Sequence, residues 1–203
     1  MSTTNIIENQ RGSPANQTNL EETELVGKIR NGDVDSFAIV YERYLPQVYS
    51  LTYRLLGNSD DAFDMTQEVF TKAFKAINKD CSEINLSAWL YRIAYNACMD
   101  LLRRKKRISW VPWDNTIHSN LNRSKDEPEQ IYIGQQTRNQ VRVVLNKMKT
   151  HHRMCLVLRE YMNLSYDEIA AIMSISPSAV KSMLFRAREQ FRLHYQTLFL
   201  MAV

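Results

Sequence analysis

The sequence is poor in everything that staples, breaks or anchors a chain. Its three cysteines, Cys81, Cys98 and Cys155, are odd in number and widely separated, with no Cys-x-x-Cys spacing. That excludes a disulfide framework and reads as free thiols in a reducing cytoplasm. His151 and His152 are adjacent, so they cannot share a helical face as ligands four residues apart do, and no zinc or other metal is expected. Five glycines and five prolines among 203 residues leave long stretches without a breaker, as in a mostly helical globular protein. No apolar run approaches a bilayer span, and the start lacks a basic-then-apolar secretory signal, so a cytoplasmic protein without membrane insertion is expected. Internal repeats and strand-like alternation are absent. So are an acid pair, a nucleophile triad and a Gly-rich phosphate loop, which points away from catalysis and calls for no cofactor.

What is present is charge and helical period. Charged residues make up 24% of the chain and hydrophobic ones 44%, and a net charge of +4 permits a polyanionic partner without requiring one. The most informative stretch is LSYDEIAAIMSISPSAVKSMLFRAREQF, from Leu164 to Phe191. Ser165 and Glu168 have capping-box spacing, and Asn163 before them suits a left-handed helix end. Ser176 caps a second helix with Pro177 at its first position. Val180, Leu184, Ala187 and Phe191 share one arc at 100° per residue and predict its buried face. Ser178, Lys181, Ser182, Phe185, Arg186 and Arg192 face the other way. Cations, hydroxyls and one exposed ring fit a DNA major groove, with Lys181 and Arg186 for phosphates or guanine edges and Phe185 for a thymine methyl. Taken alone, the motif fits a solvated surface helix equally well.

Upstream, residues 1–19 are polar and unpatterned, as in a disordered arm. A short amphipathic helix is expected from Leu20 to Ile29, closed by Asn31 and Gly32. Asp33 then caps a helix carrying Phe37, Val40, Tyr41 and Tyr44, which Pro46 restarts and which runs through Val48, Leu51, Leu55 and Leu56 to Gly57. Ser59 to about Ile77 forms the cleanest amphipathic helix. Ala62, Met65, Val69, Phe70, Ala73 and Ile77 are its apolar half; Asp60, Asp61, Asp64, Gln67 and Glu68 cluster on the other. That face suits either solvent or a basic docking partner. A polar loop over residues 78–85 precedes a helix for which Ser87 is the expected cap, with Leu90, Ile93, Ala94, Ala97 and Leu101 as its core stripe. Arg92, Asn96 and Arg103 line its opposite side, flanked by Trp89 and Tyr95, and the run Arg103-Arg104-Lys105-Lys106-Arg107 ends it. Trp89 and Tyr91, each taken alone, are best read as core rings. The polar row, its flanking rings and the basic run together suit a groove for unpaired nucleic acid.

DDAFDMTQEVFTKAFKAI, AWLYRIAYNACMDLLRRKKR and LSYDEIAAIMSISPSAVKSMLFRARE, in that order, resemble the bacterial RNA polymerase sigma factors of the sigma-70 family, in their extracytoplasmic-function (ECF) group. The resemblance implies an all-α fold of two small helical domains joined by a flexible linker. Region 2 would span residues 20–107, the linker 108–130 and region 4 residues 131–196, with 197–203 an apolar tail. It implies core RNA polymerase and promoter DNA as partners. Asp61, Asp64, Gln67 and Glu68 would grip core polymerase. Lys79, Asp80, Ser82 and Asn85 would lie at a flipped base of the minus-ten element, and Trp89, Arg92, Asn96, Arg103 and Arg104 along the single strand. Ser178, Ala179, Lys181, Ser182, Phe185 and Arg186 would read the minus-thirty-five element. An anti-sigma factor, soluble or membrane-bound, is a further implied partner. Binding, not chemistry, is the implied task; catalysis belongs to the polymerase.

The sequence departs from the family pattern in places. Phe63 stands where an acid is usual, extending the apolar arc. Ser174 replaces the usual turn glycine, Lys149 a common helix-opening proline and Met183 a common arginine, while Ala179 sits where a hydroxyl or glycine is frequent. Competing readings are a DNA-binding regulator whose first domain senses a ligand or dimerises, and a helical adaptor that never meets nucleic acid. Neither accounts for an aromatic-flanked basic helix beside an acidic face.

Overall fold

A computed structural model describes residues 14–80, 85–108 and 132–200. Residues 1–13 of the expected arm, most of the loop after the third helix, nearly all of the linker and the last three tail residues lie outside the described residues, while residues 14–19, expected as part of that arm, are helical. Eight α-helices follow in order, and no strand occurs among the described residues: α1 Pro14–Arg30, α2 Val34–Leu56, α3 Ser59–Asp80, α4 Leu86–Ile108, α5 Tyr132–Lys147, α6 Thr150–Glu160, α7 Tyr166–Met173 and α8 Pro177–Tyr195. A five-residue π-helical turn, Gln196–Leu200, continues α8.

Helix ends follow their chemistry. The Asp33 carboxylate accepts from the amides of Asp35 and Ser36, at 3.0 and 3.4 Å, and Gly57 closes α2 in the left-handed region at φ 73°. Pro46 does not restart α2; the helix is continuous through it. Pro46 and Glu42, whose carbonyl loses its partner, are both exposed, so water replaces the missing bond. Asn58 caps α3, accepting from Asp60 and Asp61 at 2.8 and 2.9 Å. The cap of α4 is Asn85, not Ser87: its side-chain oxygen accepts the Ala88 amide at 3.1 Å and the Ser87 hydroxyl at 2.6 Å. α1 begins six residues earlier than its amphipathic pattern, and α3 runs three residues past Ile77.

In the first half, α1 to α4 pack around Val40, Val48, Leu51, Leu55, Val69, Ile77, Leu86 and Leu90, each at most 1% exposed. Burying a side chain of this kind contributes roughly 1.5–3 kcal/mol. Every apolar residue assigned to α3 by period is buried, from Ala62 to Ile77. Phe63 is not on that arc and is 58% exposed. In the second half, α5 to α8 close around Met154, Leu158, Ile169, Ile172, Val180 and Leu184.

The halves are not separated. α4 packs on α7, and α2 packs on α5 and α6, so one continuous set of buried side chains runs through both. The seam has specific bonds. Tyr95 Oη lies 3.1 Å from His151 Nδ1, the Arg142 guanidinium donates to Tyr53 Oη at 2.8 Å, and Asn85 Nδ2 donates to Glu168 Oε1 at 3.2 Å. The Arg54 guanidinium sits 3.9 Å from the centre of the Tyr161 ring. Gly57 lies so close to Asn146 of α5 that a Cβ there would fall 2.4 Å from its side-chain oxygen.

Candidate nucleic-acid interface

The helix-turn-helix is built as its residues dictate. Ser165 Oγ accepts the Glu168 amide at 3.2 Å while Glu168 Oε2 accepts the Ser165 amide at 2.7 Å, completing the capping box of α7. Asn163 adopts φ 52°. Ser174 ends α7 at φ 55°, ψ 46°, so the turn keeps the left-handed geometry a glycine would supply and carries the strain of a Cβ there. Ser176 Oγ accepts the Ala179 amide at 3.2 Å, with Pro177 at the first position of α8. Val180, Leu184 and Ala187 are buried, Phe191 is half-buried, and α8 is thereby fixed with its opposite side outward.

That side carries Ser178, Lys181, Ser182, Phe185 and Arg186, all exposed, with Phe185 at 74% and Ala179 half-buried beside them. The cations of α8 fall into two kinds. Arg188 is held by Glu160 of α6 at 2.8 Å and Arg192 by Glu189 at 2.6 Å. Lys181 and Arg186 have no carboxylate partner among the described residues. These two cations are thus left without a neutralising carboxylate, whereas Arg188 secures α8 to α6, a division invisible in the sequence.

On α4, Arg92, Asn96, Arg103 and Arg104 are exposed, and Arg103 pairs with Asp100 at 3.2 Å. Trp89 is half-buried, packed against the core. Tyr95, expected to flank the row, is only 8% exposed and bonds to His151. Burial and the nearby Arg103 act on its hydroxyl in opposite directions; burial prevails and holds the pKa above its ordinary value. Asn85 is exposed but already engaged as helix cap and as donor to Glu168. Ser82 and the side chains of Lys79 and Asp80 lie outside the described residues.

On α3, Asp64 and Gln67 are exposed and Glu68 is half-buried, paired with Lys72 at 2.6 Å. Gln67 donates to Tyr41 Oη at 3.3 Å. Asp61, also half-buried, pairs between helices with Lys105 of the basic run, whereas the Glu68 pair stays within α3. Asp61 thus ties α3 to α4. Among the described residues, no group of His, Cys, Asp and Glu could hold a metal ion, and no helix is long and apolar enough to cross a membrane.

Residues 40–108 match the family model described as Sigma-70 region 2, and residues 138–191 match that of Sigma-70, region 4. The ECF RNA polymerase sigma factor SigW of Bacillus subtilis (strain 168) is 32% identical over 175 residues, 82% of this chain and 92% of that one. The ECF RNA polymerase sigma-E factor of Escherichia coli (strain K12) is 32% identical over 176 residues, covering 84% and 92%. Among solved structures, CnrH in complex with the cytosolic domain of CnrY superposes with TM-score 0.65 at 22% identity, over 88% of this chain and 99% of that one. RpoE in complex with the anti-sigma factor NepR from Bartonella quintana gives 0.61 at 21%, over 82% and 98%. These two show a shared fold. With both regions in order and relatives matched nearly end to end, the chain belongs to the ECF sigma factors of the sigma-70 family, which direct RNA polymerase to initiate at specific promoters.

Proposed function

We propose a division of labour among three surfaces, in which Asp64, Gln67 and Glu68 of α3 hold core polymerase, the polar row of α4 tracks the opened minus-ten strand and the outer face of α8 reads the minus-thirty-five duplex. The exposed face of α8 carries this reading, because burial of Val180, Leu184 and Ala187 leaves Lys181, Ser182, Phe185 and Arg186 together on the solvent side. Phosphate contacts there set register, and base-edge or methyl contacts set sequence preference. On α4, Trp89 gives a ring against which an unstacked base can rest, a contact of about 1–3 kcal/mol. Asn85, at the start of α4, belongs to the same surface, as do Lys79, Asp80 and Ser82 before it. The boundaries of region 2 at 20–107, linker at 108–130 and region 4 at 131–196 belong to this proposal.

The chain supplies no nucleophile, acid or metal to transcript synthesis; it positions the enzyme and traps bases leaving the stack. It works in the cytoplasm, where the polymerase works. An anti-sigma factor is the further partner, because the RpoE structure holds one, NepR, bound to a chain of the same fold. Asp61 has a structural share through Lys105.

The test is binding of the full chain to purified core polymerase. Asp64→Lys, an exposed change that leaves helix and core intact, is expected to weaken binding about tenfold or more, as a reversed charge at a complementary contact does. Equal binding by parent and variant would remove α3 from the polymerase surface.

A further inference from the structure

The first half of α8 is seated by Val180, Leu184 and Ala187, each at most 1% exposed. Past Ala187 the burial thins, and no residue from Arg188 to Tyr195 is buried. Apolar packing therefore holds the second half of the helix less firmly than the first.

Polar contacts take over at that point. Arg188, next after the last buried position, donates from Nε and Nη2 to Glu160 Oε1 at the end of α6, at 3.2 and 2.8 Å. That hydrogen bond is the largest cause holding the Arg188 guanidinium above its ordinary pKa; burial opposes it, and the Tyr166 hydroxyl adds to it. Tyr166 is the first residue of α7. The Arg159 guanidinium lies 5.3 Å from the centre of its ring and donates to the Leu164 carbonyl at 2.7 Å, across the turn from α6 to α7. One cation of α8 is thus held from both preceding helices. An exposed ion pair alone holds loosely, but two guanidinium nitrogens on one carboxylate, inside a network, hold a defined geometry.

Length turns a small release here into a large displacement. Arg186 is nine residues beyond Pro177. That is roughly 13.5 Å along the axis, so a swing of about 10° about the preceding turn moves it by roughly 2.3 Å. A hydrogen bond to a base edge does not survive such a shift, because it fails beyond about 3.5 Å. Attraction to a phosphate does survive it, since at 0.1 M salt that field decays over about 10 Å.

We infer that Glu160 and Tyr166 are positioning residues for the minus-thirty-five element, holding α8 through Arg188 so that Phe185 and Arg186 register on base edges. The lock sets discrimination between sequences and leaves the attraction to any duplex as it is. This inference rests on the reading of α8 given above.

The test uses the full chain bound to core polymerase and two duplexes, a promoter that it transcribes and the same fragment with the minus-thirty-five element scrambled. Tyr166→Phe and Glu160→Gln, each at an exposed position, remove one side of the lock without touching the core. In each variant the ratio of the two affinities is expected to fall about threefold or more, part of what one base-edge contact discriminates. The slope of affinity against salt should stay parental. Arg188→Lys keeps the charge but not the two-nitrogen contact, and should lower the ratio in the same way. A parental ratio in both single variants would overturn the positioning role. So would equal weakening on both duplexes, the mark of a general loss of structure. A parent that does not tell the two duplexes apart would instead count against α8 as the reader.

Discussion

The two kinds of cation on α8 give a prediction that separates a DNA-reading helix from a merely charged one. Lys181 and Arg186 are exposed and have no acidic partner among the described residues, while Arg188 is committed to Glu160. A cation that neutralises one phosphate contributes about 0.9 to the negative slope of log affinity against log salt. Replacing Arg186 by alanine should therefore flatten the slope by about 0.9, and Lys181→Ala should do the same. Between 50 and 200 mM salt the penalty of either variant should shrink by about 3.5-fold, which is 4 raised to the power 0.9. Arg188→Ala should leave the slope unchanged; losing an exposed pair of this kind costs at most about 1 kcal/mol of stability. The assay is fluorescence anisotropy of polymerase carrying each variant on one promoter fragment, across a potassium chloride series. A flatter slope for Arg188→Ala than for Arg186→Ala, or parental slopes for both free cations, would refute the assignment of this face to DNA.

Three further outcomes follow from local structure. Ser174→Gly relieves a left-handed Cβ strain of about 1–2 kcal/mol against a loss of roughly 0.4–1 kcal/mol in unfolded-state entropy, so thermal denaturation should rise by about 2 °C, and a lower midpoint would contradict the strain. Leu184→Ala, at a fully buried position of α8, should cost about 2–5 kcal/mol in denaturant unfolding and abolish minus-thirty-five binding; a cost under 1 kcal/mol would show the helix is not seated as described. Burial pushes the Cys98 thiol up to about 12 and Cys155 up to about 11, from an ordinary 9.0. Both raised values mean that their stabilising contribution is complete below pH 9 and is lost as pH rises towards 11–12. Peptide mapping after iodoacetamide at pH 8 should find both unmodified until denaturant is added; ready native labelling would contradict their burial.

Local signals in this chain were legible because each depends on residues a few positions apart. The Ser165–Glu168 capping box, the Ser176 cap with Pro177, the Asn163 and Gly57 helix ends and the apolar arc of α3 all need only spacing and side-chain type. Pro46 misled because a proline's effect depends on whether water can reach the orphaned carbonyl, which is a matter of exposure. Asn85 was overlooked as a cap because Ser87 offers similar chemistry two residues on. The acidic face on α3 and the cationic face on α8 were visible as patterns. Which charges on them are already neutralised was not, because Asp61 meets Lys105 across 44 positions and Arg188 meets Glu160 across 28. The seam was the least legible feature. Tyr95 and His151 are 56 residues apart, and only the packing of one half on the other makes them partners.

The central claim is that this chain selects promoters for RNA polymerase through two separate surfaces. Its most direct test is transcription in vitro by purified core polymerase on a pool of genomic fragments, with and without the protein, with transcript starts mapped. The account predicts new starts only in its presence, sharing one upstream element near minus ten and another near minus thirty-five, with the deficit of Arg186→Ala relative to the parent largest at low salt. No new starts, and no co-elution with core polymerase, would contradict it.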